Sequence, residues 1–251
     1  MVAAFVPLTE SEHSMTTEAT TFEQGYQKGY LPGAVGARRA PWDIGRPQDA
    51  VVELAAKGAF TGSILDIGCG LGDNAIHLAG RGLDVTAVDS APTAVETAKA
   101  RAASEGVQVN FGVADATTLA GYENRFDTIL DSGLYHCLTD EDRKRYVEAL
   151  ARAGKPGARL HLLSFTNELP QAHFLVPVTE DTLRGDFVAP WTIEALNTVR
   201  YETTLDFERL RTRVPGIGEV PPADGKLCPG VEIDKDGVIW FDAWHLEARL
   251  S

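Results

Sequence analysis

The feature that most constrains this chain is the run Ser63-Ile64-Leu65-Asp66-Ile67-Gly68-Cys69-Gly70-Leu71-Gly72-Asp73-Asn74. Ile64, Leu65 and Ile67 are β-formers, as a strand covered on both faces requires. Gly68, Gly70 and Gly72 then let the backbone bend sharply and let a ligand approach it closely. A helix expected over 74–81 follows at once, and its first N–H groups have no intrahelical partners. Strand, glycine turn and helix in this order predict an open α/β sheet with a ligand seated over the turn.

The spacing narrows the ligand. A dinucleotide fingerprint G-x-G-x-x-G begun at Gly68 needs Gly or Ala at position 73, where this chain has Asp73. The third glycine falls instead at Gly72, giving D-x-G-x-G-x-G from Asp66. A carboxylate at position 73 would repel a pyrophosphate, whereas a nucleoside with a cationic amino acid tail suits an acidic turn. No G-K-[ST] ending is present, which excludes a P-loop. The stretch from Asp66 to Gly72 resembles motif I of the class I S-adenosylmethionine (SAM) methyltransferases. That resemblance implies SAM as cofactor, held near Asp66, Gly68, Cys69 and Gly70. It also implies a Rossmann-like, seven-stranded, mostly parallel sheet with helices on both faces.

The 251 residues suffice for one large α/β domain with a sizeable core. A formal net charge of −13 argues against a nucleic-acid partner, since phosphate binding needs clustered Lys and Arg. Cys69, Cys137 and Cys228 are scattered, so neither a disulfide framework nor a zinc site is expected. No apolar run reaches the ~18 residues of a membrane span. The first residues lack a basic start and a continuous apolar core, so no signal peptide is expected and the default is a cytoplasmic enzyme. Residues 1–20 read as a flexible tail. A single domain is expected over 21–251, comprising an N-terminal lid and helix (21–58), a cofactor core (59–165) and substrate-side loops with the last strands (166–251).

Phe22 to Tyr30 is aromatic and broken by glycines, either a segment covering the sheet edge or a lid in which Tyr26 and Tyr30 meet substrate. Pro41-Trp42-Asp43-Ile44-Gly45-Arg46-Pro47-Gln48 precedes a helix ending near Gly58. By itself Trp42 reads as a large apolar anchor at a helix entrance; the segment is also similar to the one before motif I in thiopurine and halide/thiol methyltransferases, which implies that Trp42 and Arg46 close over SAM. A tryptophan face attracts a sulfonium by roughly 0.5–2 kcal/mol.

A second strand over 83–90 ends in Asp89, 23 residues after Asp66 and placed to meet ribose hydroxyls; the alternative is that Asp89 only caps the following helix, a task Ser90 can take instead. After a third strand over 107–113, Asp115 and Ala116 resemble the methyltransferase pair that meets the adenine. The fourth strand, 126–132, carries Asp131 and Ser132, and Gly133-Leu134-Tyr135-His136 follows at its carboxyl end, where ligands bind in open α/β sheets. Asp131 is read as a holder of the SAM amine rather than a metal ligand, and no metal is expected. A Gly154-Lys155-Pro156-Gly157 turn leads into a fifth strand over 159–165. Beyond it come a long proline-punctuated loop (166–190), a helix over 192–199, strands over 207–214 and 238–250, and a surface excursion over 215–236.

Methyl transfer from a sulfonium depends mainly on alignment, and a general base helps when the nucleophile carries a proton. His136 is the candidate base; the bland alternative is that it hydrogen-bonds SAM or caps the next helix. Tyr135, Tyr26 and Tyr30 either line an aromatic substrate pocket or pack in the core, and His173 could reach substrate from the long loop. The motifs resemble mycobacterial heterocyclic-toxin or benzoquinone-type methyltransferases. This implies a small aromatic or heterocyclic acceptor, quinolone- or quinone-like, methylated at O, N or S. Thiol/halide methylation, NAD-dependent oxidoreduction and non-catalytic SAM binding are the competing readings.

Overall fold

The computed structural model describes residues 22–27, 40–166, 178–213 and 217–251. Five parallel strands form the centre: β1 (Ser63–Ile67), β2 (Asp84–Asp89), β3 (Asn110–Val113), β4 (Phe126–Ser132) and β5 (Gly154–Phe165), side by side as β3-β2-β1-β4-β5. Ile67 lies opposite Val88 on one side and Asp131 on the other, so β1, β2 and β4 end on one edge. The first crossovers are α3 (Asp73–Gly80) and α4 (Pro92–Glu105), with α5 (Asp140–Ala153) between β4 and β5. Upstream lie a short helix, α1, over 22–27 and α2 (Asp49–Ala56).

Both faces of the sheet are covered, and the strand alternation feeds both. Ile64, Val85 and Leu130 pack with Val51 of α2 and with Ala75 and Leu78 of α3. Leu65, Ile67, Val88 and Ile129 pack on the other side with Tyr146 and Leu150 of α5. A fully buried aliphatic side chain of this kind contributes roughly 1.5–3 kcal/mol. Local signals agree with the packing: Pro92 opens α4, Gly106 closes it at φ +69°, and the Thr139 hydroxyl accepts the Asp142 N–H at the start of α5.

Among the described residues the sheet has nine strands rather than the seven expected. After α6 (Glu180–Asp186), β6 (Trp191–Thr203) runs antiparallel along one side of β9 (Ile239–Leu250), and β5 pairs with the other side. The segment read as a helix over 192–199 is therefore strand. Ile193, Leu196 and Val199 recur at a helical spacing because a bulge between Ile193 and Ala195 interrupts the alternation. The segment read as a strand over 207–214 is instead α7 (Phe207–Arg213), whose Leu210 packs against Leu227, Val231 and Phe241. The 215–236 excursion contains β7 (Lys226–Cys228) and β8 (Val231–Ile233), a hairpin that pairs with Ile239–Phe241 of β9 beyond the end of β5. Gly154 to Gly157 is part of β5, with a register shift against β4 rather than a free turn. Among the described residues, no helix is long and apolar enough to cross a membrane.

Two consequences of this packing are measurable. Gly72 sits at φ +88°, and a Cβ there would come within 2.9 Å of the Ala98 Cβ and 3.2 Å of the Phe111 ring. Gly72→Ala should lower stability by roughly 2–4 kcal/mol in urea denaturation, through backbone strain and overpacking together. Gly82→Ala, at φ +84° with nothing within 4 Å, should cost only about 1–2 kcal/mol. His161 and His245 form a buried pair across β5 and β9, Nδ1 to Nε2 at 3.2 Å. Burial holds both rings down at about 4, with Arg159 adding to this at His161 and Lys57 at His245, while Glu247 opposes. The pair is neutral in the fold and charged in the unfolded chain below its ordinary value, so it costs stability as pH falls from about 6.5 toward 4. Urea midpoints across this window should fall less steeply in a His161→Gln/His245→Gln variant than in the parent.

Candidate active site

The turn after β1 is folded against the end of β2. Gly68 and Cys69 both donate their N–H groups to the Val88 carbonyl, at 2.8 and 3.0 Å. The Asp89 carboxylate accepts the Gly70 N–H at 2.8 Å and the Ala91 N–H at 2.9 Å. Gly68 and Gly70 adopt φ +70° and +53°. A Cβ on Gly68 would lie 2.9 Å from the Leu134 Cβ, and one on Gly70 would lie 3.2 Å from the Tyr26 hydroxyl. Only glycine leaves the floor of the cradle open at these two positions.

Buried acids stand behind it. Asp66 is 1% exposed and its Oδ2 has no hydrogen-bond partner among the described residues. Burial pushes its carboxyl up to about 7, and the nearby Asp131 and Asp89 charges add to this. Asp131 is also pushed up to about 7 by burial. Its oxygens are nevertheless engaged, accepting from Leu134 N–H (2.8 Å), Tyr135 N–H (3.1 Å) and the Tyr146 hydroxyl (2.7 Å). Burial likewise raises Asp89. An unpartnered carboxylate oxygen among like charges at low dielectric favours a cationic ligand. SAM carries two cationic centres, so these residues fit it. Asp73 offers less net negative charge than its place in the motif suggests: both its oxygens are 3.0 Å from Arg101 Nη1, and Arg101 Nη2 also meets Asp43 at 3.1 Å.

The N-terminal elements roof the cradle. In α1, Glu23 accepts from the Thr93 N–H (3.0 Å) and hydroxyl (2.6 Å) at the start of α4. Trp42 Nε1 donates to the Tyr26 hydroxyl at 3.1 Å, and the Phe22 ring meets Trp42 edge-on at 5.8 Å. Tyr26 thus stands beside Gly70 and Asp89, on the cofactor side. The Arg46 guanidinium is paired with Asp49 and Glu202. Gln48 bonds the backbone of Glu202 through both ends of its amide, which stitches this segment to β6. The cleft between roof and floor is lined by Trp42, Asp43, Gly70, Asn74, Ser132 and Tyr201, among others.

At the ends of the remaining strands, Asp115 turns one oxygen back on Thr117, accepting both its N–H and its hydroxyl, and Ala116 is buried beside it. Ser90 follows Asp89 and is half-buried. Tyr201 on β6 donates to the Ser132 carbonyl at 3.1 Å. His136 lies in a short 3₁₀ turn, Tyr135–Cys137, and is 5% exposed. Its ring stacks on Phe165 at 4.5 Å, and Phe165 meets Tyr201 edge-on at 5.2 Å and Phe241 at 5.4 Å. Tyr135 points the other way: it is fully buried against Tyr146 and Phe187 and donates to Asp186. The fold does not bring it to the cleft. Tyr30 and His173 lie outside the described residues.

Sequence reasoning missed Tyr201, Asn74, Gln48 and Asp43. Asp43 and Gln48 lay inside the Pro-Trp-Asp motif and were available to it. Tyr201 was hidden, because its strand looked helical and only the pairing with β9 carries it to β4.

Residues 64–157 match the family described as a methyltransferase domain. A 2-heptyl-1-hydroxyquinolin-4(1H)-one methyltransferase of Mycobacteroides abscessus is 38% identical over 182 residues, covering 71% of this chain and 79% of that protein. A structure from work on the conversion of a disulfide bond into a thioacetal group during echinomycin biosynthesis superposes with a TM-score of 0.73 at 32% identity. It covers 93% of this chain and 92% of its own. A Burkholderia thailandensis 1,6-didemethyltoxoflavin-N1-methyltransferase, bound to its substrate and S-adenosylhomocysteine, shares the fold at 21% identity and a TM-score of 0.62, covering 99% and 93% of the two chains. With the glycine cradle, the acid at the end of β2 and 38% identity to a methyltransferase over 71% of its length, this chain belongs to the SAM-dependent methyltransferases.

Proposed function

We propose that this enzyme methylates a small, flat heteroaromatic molecule of the quinolone or quinone kind, and that residues 21–251 act as one catalytic unit. The observation that carries the reading is the aromatic shelf at the carboxyl ends of β4, β5 and β6. His136, Phe165 and Tyr201 meet ring to ring there, and Tyr201 and Ser132 also line the cofactor cleft. Aromatic rings prefer offset or edge contacts with other rings, so such a shelf favours a planar acceptor. The similar quinolone methyltransferase supports this class. With 36 acidic against 23 basic residues, the chain is a poor match for a nucleic-acid substrate, and we take the cytoplasm as its place of action.

When bound, SAM supplies a methyl group already activated on a sulfonium, so alignment is the protein's main task. In our reading Asp89 holds the ribose and Asp66 the ammonium, while Gly68, Cys69 and Gly70 present backbone to the amino acid tail. Asp115, with its second oxygen, and the Ala116 N–H serve the adenine, flanked by Ser90. Trp42 and Tyr26 close over the cofactor, and Arg46 acts indirectly by tying the roof to Glu202 of β6. Asp131 is a positioning residue, because its carboxylate organises the turn that carries His136. Ser132 and Tyr201 border the place where acceptor and methyl meet.

Incubation with SAM and a panel of hydroxyquinolones, quinones, thiols and halides, read by mass spectrometry, tests the substrate class. A product heavier by one methylene from a heterocycle is the expected result; methylation of thiols or halide alone favours the thiol/halide reading instead. Asp89→Ala removes charged hydrogen bonds worth roughly 1.5–3 kcal/mol, so calorimetry should show SAM affinity reduced about 10- to 100-fold. Unchanged affinity removes the ribose assignment.

A further inference from the structure

The His136 ring has a defined polarity. Its Nδ1 lies 3.3 Å from the Phe165 backbone N–H, which can only donate, so Nδ1 accepts. The ring is neutral: burial, with the Arg143 cation adding to it, holds His136 down to about 3. A neutral imidazole that accepts at Nδ1 carries its proton on Nε2. Nε2 has no hydrogen-bond partner among the described residues. The group offered to an acceptor on the aromatic shelf is therefore an N–H donor, not a base's lone pair.

The surroundings point the same way. Arg143 on α5 is 1% exposed and stacks over the Tyr135 ring at 5.1 Å, and its positive field reaches His136. That field disfavours a proton arriving on the ring and favours negative charge next to it. Tyr201 spends its hydroxyl proton on the Ser132 carbonyl, and burial raises its ionisation above the ordinary range, so it stays a neutral phenol. Asp131 on β4 already accepts three hydrogen bonds, and Asp66 lies behind the glycine cradle. Cys137, in the same turn as His136, is near Tyr201.

We infer that His136 is a substrate-positioning donor, whose Nε2–H holds an acceptor that arrives already deprotonated. This deepens the proposed function and rests on it. The substrate class is a heteroaromatic molecule whose hydroxyl or ring N–H is acidic enough to ionise near neutral pH. The acceptor's proton leaves to solvent before binding, and none passes to the imidazole.

Two measurements on the full chain test this, and neither reads turnover. The first is nitrogen NMR of the imidazole in unaltered protein. Here His136 should remain neutral with its proton on Nε2 from about pH 5 to 8. A proton on Nδ1, or titration of the ring within that range, overturns the inference. The second is an absorbance titration of 1-hydroxyquinolin-4(1H)-one bound to the S-adenosylhomocysteine-loaded protein. The midpoint of the bound probe's ionisation should lie at least about one pH unit below its value in buffer, a tenfold preference for the anion. His136→Ala should return it to the buffer value, and His136→Gln, whose amide donates, should restore part of the effect. An unshifted or raised midpoint overturns the inference. If heterocycles are still methylated in that case, the substrate reading survives without it. If the probe does not bind and no heterocycle is methylated, both fall.

Discussion

Asp89 closes β2 with a carboxylate that accepts the Gly70 N–H at 2.8 Å and the Ala91 N–H at 2.9 Å, tying the turn after β1 to the start of α4. The cleft depends on this link. It sets the floor at Gly68 and Gly70, and it fixes the start of α4, where Glu23 docks the N-terminal helix on Thr93. Floor and roof are thus referred to the same strand end. The roof is bound a second time from the far side of the sheet, where Gln48 pairs with the Glu202 backbone.

Electrostatics follow from that geometry. The parallel strands β1, β2 and β4 end together, so Asp66, Asp89 and Asp131 are brought into one buried neighbourhood. Burial raises all three carboxyls, and the Asp131 and Asp89 charges raise Asp66 further; the structure answers each differently. Asp131 is given three donors and Asp89 two backbone N–H groups, whereas Asp66 keeps an oxygen with none. A cationic ligand would relieve this arrangement, and without one the buried acids cost the fold stability. The Asp43–Arg101–Asp73 bridge, by contrast, is compensated and structural in character.

His136 illustrates how a residue's role is set by its neighbours rather than its type. A histidine at the end of β4 suggests a base, but the Phe165 N–H takes its Nδ1 lone pair and Arg143 opposes its protonation. What remains is a donor at the edge of an aromatic shelf. The aromatic contacts among His136, Phe165, Tyr201 and Phe241 join the ends of β4, β5, β6 and β9, which are far apart in the chain.

The sequence by itself determined the first half of the sheet, the glycine cradle and the acid of β2. These depend on short-range pattern: β-formers, glycines where φ is positive, proline and glycine at the helix ends. It did not determine the second half. The Ile193 bulge imitated a helical spacing, whereas Phe207, Leu210 and Val214 stand at the helical spacing i, i+3, i+7 that the reading as a strand passed over. Both were resolved by partners distant in sequence, β9 for the one and the Leu227–Val231 cluster for the other. Tertiary structure alone also turned Tyr135 inward, brought Tyr201 to Ser132, and chose which nitrogen of His136 carries the proton. Local pattern fixes where the backbone turns and which face is apolar. The direction and ionisation of a side chain depend on what packs around it, and that exists only once the chain has closed on itself.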